Sequence, residues 1–491
     1  MKNNTTSNSR RDFIKQSSLA AASFMIVPRA VLGGKGYLAP SDKLNLAGIG
    51  VGGKGTSDIW NASVQGRENV VALCDVDSRE ISKKSRERFS NANFYEDFRE
   101  MLDKEKDIDA VTISTPDHTH APIAMAAMDL GKHVYVQKPL THNIREARML
   151  TETAREKKIV SQMGNQGASN MEMVQIQEWF NSGLIGKVNQ VYVWTNRPVW
   201  PQGIPVPKPD GGSAPEGLNW DLWLGPAPKI DYTSAYHPFN WRGWWAYGTG
   251  ALGDMGCHII DVPYRTLGLG YPTTVECSVG NVFIKMWSPE YIPEGCPPSS
   301  SVSINFNASE KNPVPVKMNW LDGGLRPTHP DLIPSEESLG EEGSGNGAMM
   351  IGDKGIITTG TYGLTPKLYR KGEKTLTFDP SKQPKEPEYG HQRKWVDACK
   401  AGFNSADHLS LTSSFDYSGP MTETVLMGNI AIRSYMLREK VKTSSHLGFS
   451  NQGYEFTGRK KLLWDGENMK ITNYDIANQF VTRDYREGWE V

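Results

Sequence analysis

A glycine-rich turn between a strand pattern and a helix pattern constrains the fold of this chain more than any other feature. The motif Gly48-Ile-Gly50-Val-Gly-Gly53 follows a short apolar run and precedes a helix-compatible stretch. A second apolar run ends in Asp75, roughly 22 residues after Gly53. Glycines allow a tight turn close to phosphate groups, and an acid at the end of the second strand can accept hydrogen bonds from ribose hydroxyls. The pattern therefore predicts a dinucleotide-binding βαβ unit.

The positions within this motif predict separate roles. Gly48 and Gly50 are expected to tighten the turn and let the backbone approach the pyrophosphate, whereas Gly53 is expected to let the helix pack closely on the strand. The phosphates would then face free N–H groups at the helix N-terminus. Asp75 would repel a 2′-phosphate, so NAD is favoured over NADP, although the nearby Arg79 keeps NADP as the alternative.

Alternating strand and helix patterns extend over residues 43–166, which is typical of a parallel, doubly wound sheet with helices on both faces. The predicted strands are 44–49, 69–74, 109–114, 133–136 and 159–163. Residues 167–440 contain runs of strands with few helices, at 188–194, 274–283, 301–306, 314–320 and 348–358. The predicted fold is an α/β Rossmann domain followed by an α+β C-terminal domain with an open, mainly antiparallel sheet.

Polar residues follow the predicted strands 109–114 and 133–136 of the first domain. In open α/β sheets, ligands bind beyond the carboxyl ends of the strands. Thr115, Pro116 and His120 are therefore predicted to contact the cofactor, and His118 and Lys138 are predicted to lie near its nicotinamide ring. A lysine in front of a proline could also be a solvated surface cation, so Lys138 depends on the upstream glycine motif for this interpretation.

In the second half, Asp254 and His258 are four residues apart and would share one face of a helix. Asp261 follows three residues later, which would place a carboxylate on either side of the imidazole. Spacing alone favours a site histidine no more than a buried structural histidine.

Several motifs together resemble the Gfo/Idh/MocA family of sugar and cyclitol oxidoreductases. They are the glycine-rich turn, the segment 115–120, the Gly-Lys-His-Val run at 131–134, the Lys138-Pro139 pair and Asp254-x-x-x-His258. The resemblance implies hydride transfer between NAD and a ring carbinol. It also implies that His258 is the acid/base and that Lys138 is the cation that stabilises the developing alkoxide, with the reverse assignment open. Asp254 would orient His258 or bind a substrate hydroxyl, and the C-terminal sheet would form a homo-oligomer.

One position departs from the family pattern, because Gln137 stands where a glutamate usually precedes the lysine. Removing that carboxylate removes an electrostatic preference for protonated Lys138, which would favour a base role for the lysine. The change would be neutral if the side chain at this position only makes hydrogen bonds.

The region 194–247 contains half of the fourteen tryptophans. Aromatic rings stack on sugar faces and neighbouring polar groups bind hydroxyls, so Trp241 and Arg242 are predicted to contact substrate, with the other tryptophans packing the loop. Residues 289–347, rich in Pro, Gly, Ser and Glu, predict a loop excursion interrupted by two strands. The tail 441–491 is aromatic enough to dock on the domains.

Composition excludes several classes of partner and site. Lys+Arg at 54 against Asp+Glu at 55 gives a net charge of −1, which leaves no electrostatic surface for nucleic acid. No apolar run after the N-terminal region approaches the roughly 20 residues of a spanning helix, so stable membrane insertion is not expected. The five cysteines are scattered without a Cys-x-x-Cys pair, and no metal site is predicted.

The N-terminal region 1–34 has the order of a twin-arginine export signal. Arg10 and Arg11 precede Phe13 and the modestly apolar run 17–27. This order predicts transport of the folded protein by the twin-arginine translocase to the periplasm or beyond.

Export constrains the chemistry. No nicotinamide pool outside the cytoplasm would reoxidise NADH, so the reaction is expected to be redox-neutral with tightly bound NAD. Oxidation of one sugar coupled to reduction of another satisfies this condition. Transient oxidation that enables elimination, as in NAD-dependent glycoside hydrolases, also satisfies it. The alternative from another class is a non-catalytic protein that binds nucleotide or sugar.

Overall fold

The computed structural model describes residues 42–64, 66–286, 288–382, 390–440 and 454–491. The predicted twin-arginine region lies outside the described residues. The strands are, in order from β1 to β20, Asn45–Ile49, Asn69–Cys74, Asn93–Tyr95, Ala110–Ile113, His133–Val136, Ser161–Met163, Val188–Trp194, Thr274–Val279, Phe283–Lys285, Ser288–Pro289, Ser300–Phe306, Val316–Leu321, Gly347–Gly352, Ile356–Thr359, Lys367–Tyr369, Leu376–Thr377, Arg438–Lys440, Tyr454–Phe456, Leu462–Asp465 and Lys470–Ile471.

The α-helices lie between these strands and after them. They are, in order from α1 to α12, Gly53–Ala62, Glu80–Arg88, Phe98–Lys104, His120–Asp129, Ile144–Glu156, Met171–Asn181, Trp220–Leu224, Gly250–Ile259, Asp261–Leu267, Gly390–Ala401, Ala406–Leu409 and Phe415–Tyr435. Helix α5 begins with a capping box, since the Asn143 side chain accepts a hydrogen bond from the Glu146 backbone N–H and the Glu146 side chain accepts one from the Asn143 backbone N–H.

The first domain is built on a six-stranded parallel sheet in the order β3-β2-β1-β4-β5-β6. This order confirms the predicted Rossmann fold, in which the crevice between β1 and β4 is the topological switch point. The short edge strand β3 is absent from the sequence-based strands because three residues carry too little periodicity to be recognised.

The second domain contains a ten-stranded sheet in the order β16-β15-β14-β13-β7-β12-β11-β8-β19-β20. Only the β7–β12 pair is parallel, so the prediction of an open, mainly antiparallel sheet is confirmed. The prediction of a single strand over 348–358 is wrong. It is the hairpin β13–β14, because the chain turns at Asp353 and Gly355.

The two domains are interleaved in the C-terminal half. Helix α10 follows β16 of the second sheet in the chain, but its Trp395 is fully buried in one cluster with Leu46 and Ile59 of the first domain. Helix α12 is almost entirely buried, and it contacts α5 of the first domain and β8 of the second. The predicted division at residue 166 therefore describes the sheets but not the helices that cover them.

The C-terminal tail extends the second sheet and then crosses to the first domain. Strand β19 pairs with β8, and Trp489 is buried near α3. Within the described residues, no helix is long and apolar enough to cross a membrane. The same residues hold no group of three or more His, Cys, Asp or Glu side chains arranged for a metal ion.

Candidate functional site

A single elongated cavity of about 510 Å³ connects the glycine-rich turn with the lysine, aspartate and histidine singled out in the sequence. Its volume is within the roughly 300–1,000 Å³ typical of small-molecule sites. It begins at the turn between β1 and α1, crosses the carboxyl ends of β2 and β4, and reaches Lys138, Asp254 and His258. The first domain supplies one wall and the second domain most of the other.

The glycine motif lies two residues further along the chain than the sequence pattern predicted. Gly50 has φ +72°, and a Cβ on Gly55 would stand 1.8 Å from the carbonyl oxygen of Gly50, so the motif is Gly50-Val-Gly52-Gly53-Lys-Gly55. A Cβ on Gly48 would meet Val51 at 2.7 Å, whereas one on Gly53 would meet nothing within 4 Å. The predicted roles of Gly48 and Gly53 are therefore wrong. Gly48 packs within the domain, Gly53 lines the cavity, and Gly55 brings the helix close to the strand.

This turn fits the pyrophosphate of a dinucleotide. Gly52 is the N-cap of α1 and makes no side-chain capping hydrogen bond, so N–H groups of the first helical turn remain available for an anion. Gly52 and Gly53 both line the cavity and place no side chain there. Thr115 and Pro116, predicted to contact the cofactor, line the cavity at the exit of β4, where Thr115 lies next to Gly50.

Asp75 stands at the end of β2, where the sequence placed it, but its carboxylate is already engaged by the backbone. Its Oδ2 accepts hydrogen bonds from the N–H groups of Val51 (2.9 Å) and Gly52 (3.1 Å), and Oδ1 accepts one from Asp77 (3.0 Å). Burial raises the pKa of Asp75 to about 6, against the effect of these donors. Asp75 thus braces the turn, and it also lines the cavity beside the expected ribose position.

Arg79, which left NADP open as an alternative, is held by another acid. Its Nε and one terminal nitrogen donate to the two oxygens of Asp77, at 2.9 and 2.6 Å. His237 Nε2 lies 2.8 Å from the same carboxylate. Arg79 is therefore neutralised by a buried carboxylate instead of being free for a 2′-phosphate, which agrees with NAD.

At the other end of the cavity, Lys138 forms an ion pair with Asp254. The Lys138 Nζ donates to the Asp254 side chain and to its backbone carbonyl, both at 2.8 Å. Arg242 Nε lies 3.3 Å and Arg197 Nε 3.9 Å from the same carboxylate. Burial alone would raise the pKa of Asp254, but Lys138 and Arg242 outweigh it and hold that pKa well below its usual value. One ionised carboxylate thus faces three cations.

His258 lines the cavity beside this cluster. Burial, followed by the charge of Lys138, lowers the pKa of His258 well below the ordinary histidine value, against the attraction of Asp254. Its Nδ1 is buried without a hydrogen-bond partner among the described residues. The imidazole is therefore neutral at neutral pH and can accept a proton.

The structure corrects the predicted arrangement around this histidine. Asp254 makes its bonds to Lys138 and Arg242 instead of orienting His258. Asp261 begins a separate helix and bonds Asn165 and Arg265, so the imidazole is not flanked by two carboxylates. Spacing along one helix could not reveal this, because the helix ends at Ile259, between the histidine and Asp261.

Gln137 is explained by a buried carboxylate that the sequence analysis did not identify. The Gln137 Nε2 donates to Asp58 Oδ2 at 2.7 Å, and Asp58 is fully buried in α1. Lys54, which lines the cavity, pairs with the other oxygen of Asp58. A glutamate at 137 would set two carboxylates against each other, so the amide suits a site in which the negative charge is on Asp58.

The two histidines predicted near the cofactor are structural. His120 has both ring nitrogens 2.8 Å from backbone carbonyls, those of Pro139 and Thr115, and it does not reach the cavity. His118 is fully buried, and its ring nitrogens meet the carbonyls of Tyr247 and Trp223. Burial lowers the pKa of His118 to about 3. Both histidines fasten the β4 exit loop instead of contacting a ligand.

Both residues predicted to face substrate, Trp241 and Arg242, line the cavity. The Arg242 guanidinium lies 4.2 Å from the centre of the Trp241 ring and 4.5 Å from that of Phe239, so the aromatic rings hold it in place. Most other tryptophans of the region pack internally, as expected. Trp194, for example, ends β7 and is fully buried against Ile333 and Met349.

The sequence analysis missed Tyr362, which stands opposite His258. The ring centres are 4.6 Å apart in an edge-to-face arrangement. Tyr362 has φ +62°, a conformation that side chains other than glycine rarely adopt. The segment before α10 gave no sequence signal of a site, because the position depends on a turn that follows β14.

Two family models match consecutive parts of the chain. Residues 44–165 match the Gfo/Idh/MocA oxidoreductase family, NAD-binding Rossmann fold. Residues 170–279 match the C-terminal alpha/beta domain of the same oxidoreductase family. The boundary between the two matches falls within four residues of the predicted division at 166.

Known proteins support the same relationship. A levoglucosan dehydrogenase from Pseudarthrobacter phenanthrenivorans is 25% identical over 238 residues, covering 48% of this chain and 51% of that protein. A glycosyl hydrolase family 109 protein from Shewanella pealeana is 27% identical over 205 residues, covering 36% and 44%. The chain thus spans about half the length of the curated relatives it matches.

Among solved structures, an inositol dehydrogenase homologue from Azotobacter vinelandii, complexed with NADH and myo-inositol, has a similar fold. The TM-score is 0.55 at 16% identity, over 79% of this chain and 95% of that one. At this identity the similarity establishes the fold alone.

Proposed function

The chain belongs to the Gfo/Idh/MocA family of oxidoreductases, and on this premise we propose that it transfers hydride between NAD and a ring carbinol of a sugar or glycoside. The observation that carries the proposal is the continuity of one cavity from the glycine-rich turn to Lys138 and His258. Bound NAD supplies the hydride acceptor, and the residues at the far end handle the hydroxyl proton.

The charges at the reaction end favour a division of roles between Lys138 and His258. Lys138 is an ammonium in an ion pair, and it stabilises negative charge on the substrate oxygen. Neutral His258 accepts the hydroxyl proton during oxidation and returns it during reduction. Asp254 holds Lys138 in position, and Arg242 with Trp241 binds the remainder of the sugar.

We propose further that NAD stays bound and that the net reaction is redox-neutral. The relatives allow two versions. One version is oxidation of one sugar with return of the hydride to another, and a levoglucosan dehydrogenase among the relatives supports its oxidation step. The family 109 hydrolase relatives favour transient oxidation, elimination of the glycosidic group, addition of water and return of the hydride. A non-catalytic nucleotide or sugar sensor is less consistent with a buried lysine, aspartate and histidine around one cavity.

Absorbance of purified protein near the NADH band, with a panel of glycosides and with or without added NAD, tests the proposal. We expect reduction of bound NAD by a subset of glycosides without added cofactor. Product analysis then separates a keto-sugar from a released aglycone. Absence of both bound nicotinamide and any spectral change would refute the proposal that the protein is an enzyme.

Export through the twin-arginine pathway is part of the proposal, resting on the sequence at Arg10 and Arg11. Replacing both by lysine keeps the charge and removes the signal. We expect the variant to remain in the cytoplasm and the wild type to reach the periplasm, measured by cell fractionation. Equal distribution of the two proteins would contradict export by this route.

We also propose a homo-oligomer assembled through the ten-stranded sheet, as the family resemblance implies. Its face opposite α12 carries half-buried side chains such as Tyr192, Ser303 and Asn319. Sedimentation at equilibrium should give a mass of two or more chains, and charged substitutions at Ser303 and Asn319 should reduce it to one.

A further inference from the structure

We propose that the C-terminal latch, residues 483–490, forms a wall of the NAD site, with Trp489 packing against the adenosine part of the dinucleotide. The inference rests on the proposed function, because it concerns retention of the same cofactor. Nothing in the sequence motifs pointed to it, since the latch lies more than 200 residues beyond the last family match.

Trp489 lines the same cavity as Gly52 and Gly53, although it lies more than 400 residues beyond them in the sequence. The indole is 7% exposed and packs against Phe98 with ring centres 5.8 Å apart. On its other side, a Cβ added to Gly225 would approach the indole to 3.4 Å, so the ring fills the space between the two domains.

Polar contacts with the first domain hold the latch in this position. The Arg99 guanidinium donates to the carbonyl of Gly488 at 3.2 Å and lies 4.0 Å from the centre of the Trp489 ring. Arg483 pairs with the buried Glu146 at 2.6 Å, and the Tyr485 hydroxyl donates to the same carboxylate at 2.8 Å.

A further contact joins the latch to the second domain. Arg486 donates to the side chain and the backbone carbonyl of Asp221, at 2.7 and 2.8 Å. The latch therefore spans both walls of the cavity, and its position depends on each of them. Because the latch is held by both walls, it opposes opening of the cavity. Release of a bound dinucleotide would require that opening.

The position of Trp489 relative to the first sheet indicates which part of the ligand it would contact. Phe98 starts the helix after β3, and Glu96 and Asp97 line the cavity just before it. This is the β2–β3 side of the switch point, where Asp75 marks the adenosine ribose. Lys138 and His258 stand on the other side of that point. The indole is thus placed for an adenine ring, whose flat face suits an aromatic wall.

Replacing Trp489 by alanine tests the latch through cofactor retention. We expect the NADH dissociation rate, followed by nicotinamide fluorescence, to rise at least about tenfold, as for loss of one aromatic stack on a base. Trp489→Phe should restore slow release. The matched control is Phe480→Ala, which removes an aromatic ring of the same tail that packs on Arg433 outside the cavity. Equal rates in wild type, W489A and F480A would overturn the latch.

Binding of fragments provides a second measurement that does not require turnover. W489A should weaken binding of ADP-ribose about tenfold and leave binding of nicotinamide mononucleotide unchanged. If W489A fails to fold, Arg99→Gln is the second variant, because it removes a contact of the latch and keeps the indole. This variant should also bind ADP-ribose more weakly and bind nicotinamide mononucleotide as the wild type does. Equal weakening of both fragments would overturn the placement at adenosine. Slow NADH release with no activity on any sugar would leave the latch standing and refute the proposed function instead.

Discussion

The two ends of the cavity are stabilised in different ways. At the glycine-turn end, Asp75 is held by three backbone N–H groups, and glycines set the path of the chain. At the reaction end, Asp254 is held by side chains from three separate segments, and His258 has a buried nitrogen that finds no partner in the part of the chain that the structure describes. The first end leaves N–H groups at the start of α1 for the pyrophosphate, whereas the second carries an excess of positive charge that faces the substrate.

This difference separates binding from chemistry. Steric changes at the turn should remove the cofactor together with the local fold. Changes of charge at the reaction end should leave the cofactor bound and remove turnover. The predictions below break or sharpen this separation, beginning with the largest expected effect.

The strongest steric effect is expected at Gly55. Its Cβ would stand 1.8 Å from the carbonyl oxygen of Gly50, so Gly55→Ala forces α1 away from β1. We expect NAD binding to be lost and the free energy of unfolding to fall by about 3 kcal/mol, measured by denaturant titration. Gly212→Ala is the control, because its Cβ would meet no atom within 4 Å. Retained NAD affinity in G55A would contradict the register of the motif.

At the reaction end, Lys138→Ala should reduce turnover by roughly 10³-fold or more, because the cation facing the substrate oxygen is lost. NAD should remain bound, as measured by the nicotinamide content of the purified variant. Lys84→Ala, which removes an exposed lysine of the same domain, should change neither quantity. Loss of NAD in K138A would show that the two ends are not separable.

His258→Gln should lower kcat by about 10²–10⁴-fold through loss of the proton acceptor. The dependence of wild-type activity on pH should reflect the lowered pKa of His258. Burial and Lys138 favour the neutral imidazole, so activity should persist as pH falls through the ordinary histidine pKa of about 6.5 and decline only below it. An acid limb at or above that pH in kcat/KM would contradict neutral His258 as the base.

The smallest effect is expected at Gln137, which connects the two ends through α1. Gln137→Glu would place a second carboxylate against buried Asp58, lowering the free energy of unfolding by about 1–3 kcal/mol. The double variant Asp58→Asn with Gln137→Glu exchanges the charge and should recover most of that loss in the same denaturation experiment. Additive effects of the two substitutions would mean that the contact does not explain Gln137.

The glycine-turn end was readable from sequence because its parts are consecutive. The strands around the turn, the acid at Asp75 and the open N-terminus of α1 all follow from local patterns. Even there the register was wrong by two residues, because five glycines fit overlapping versions of the motif and only packing distinguishes Gly48 from Gly55.

The reaction end was recognised only in part. Lys138, Asp254 and His258 were identified, but their partners were not. Arg197 and Tyr362 reach the cavity from distant loops, and a helical spacing cannot show that Asp261 points elsewhere. His118 and His120 illustrate the opposite error, because a position beyond a strand end does not reveal that both ring nitrogens are occupied by backbone carbonyls.

Isotope transfer within a single turnover tests the central claim most directly. Purified protein without added NAD would be given a glycoside carrying deuterium on the carbinol carbon, and cofactor and products would be analysed by mass spectrometry. The account predicts deuterium on the bound nicotinamide, followed by its return to a sugar product over many turnovers. Turnover that leaves the bound nicotinamide unlabelled, or the absence of turnover until NAD is added and then consumed in proportion to product, would contradict a resident and recycled cofactor.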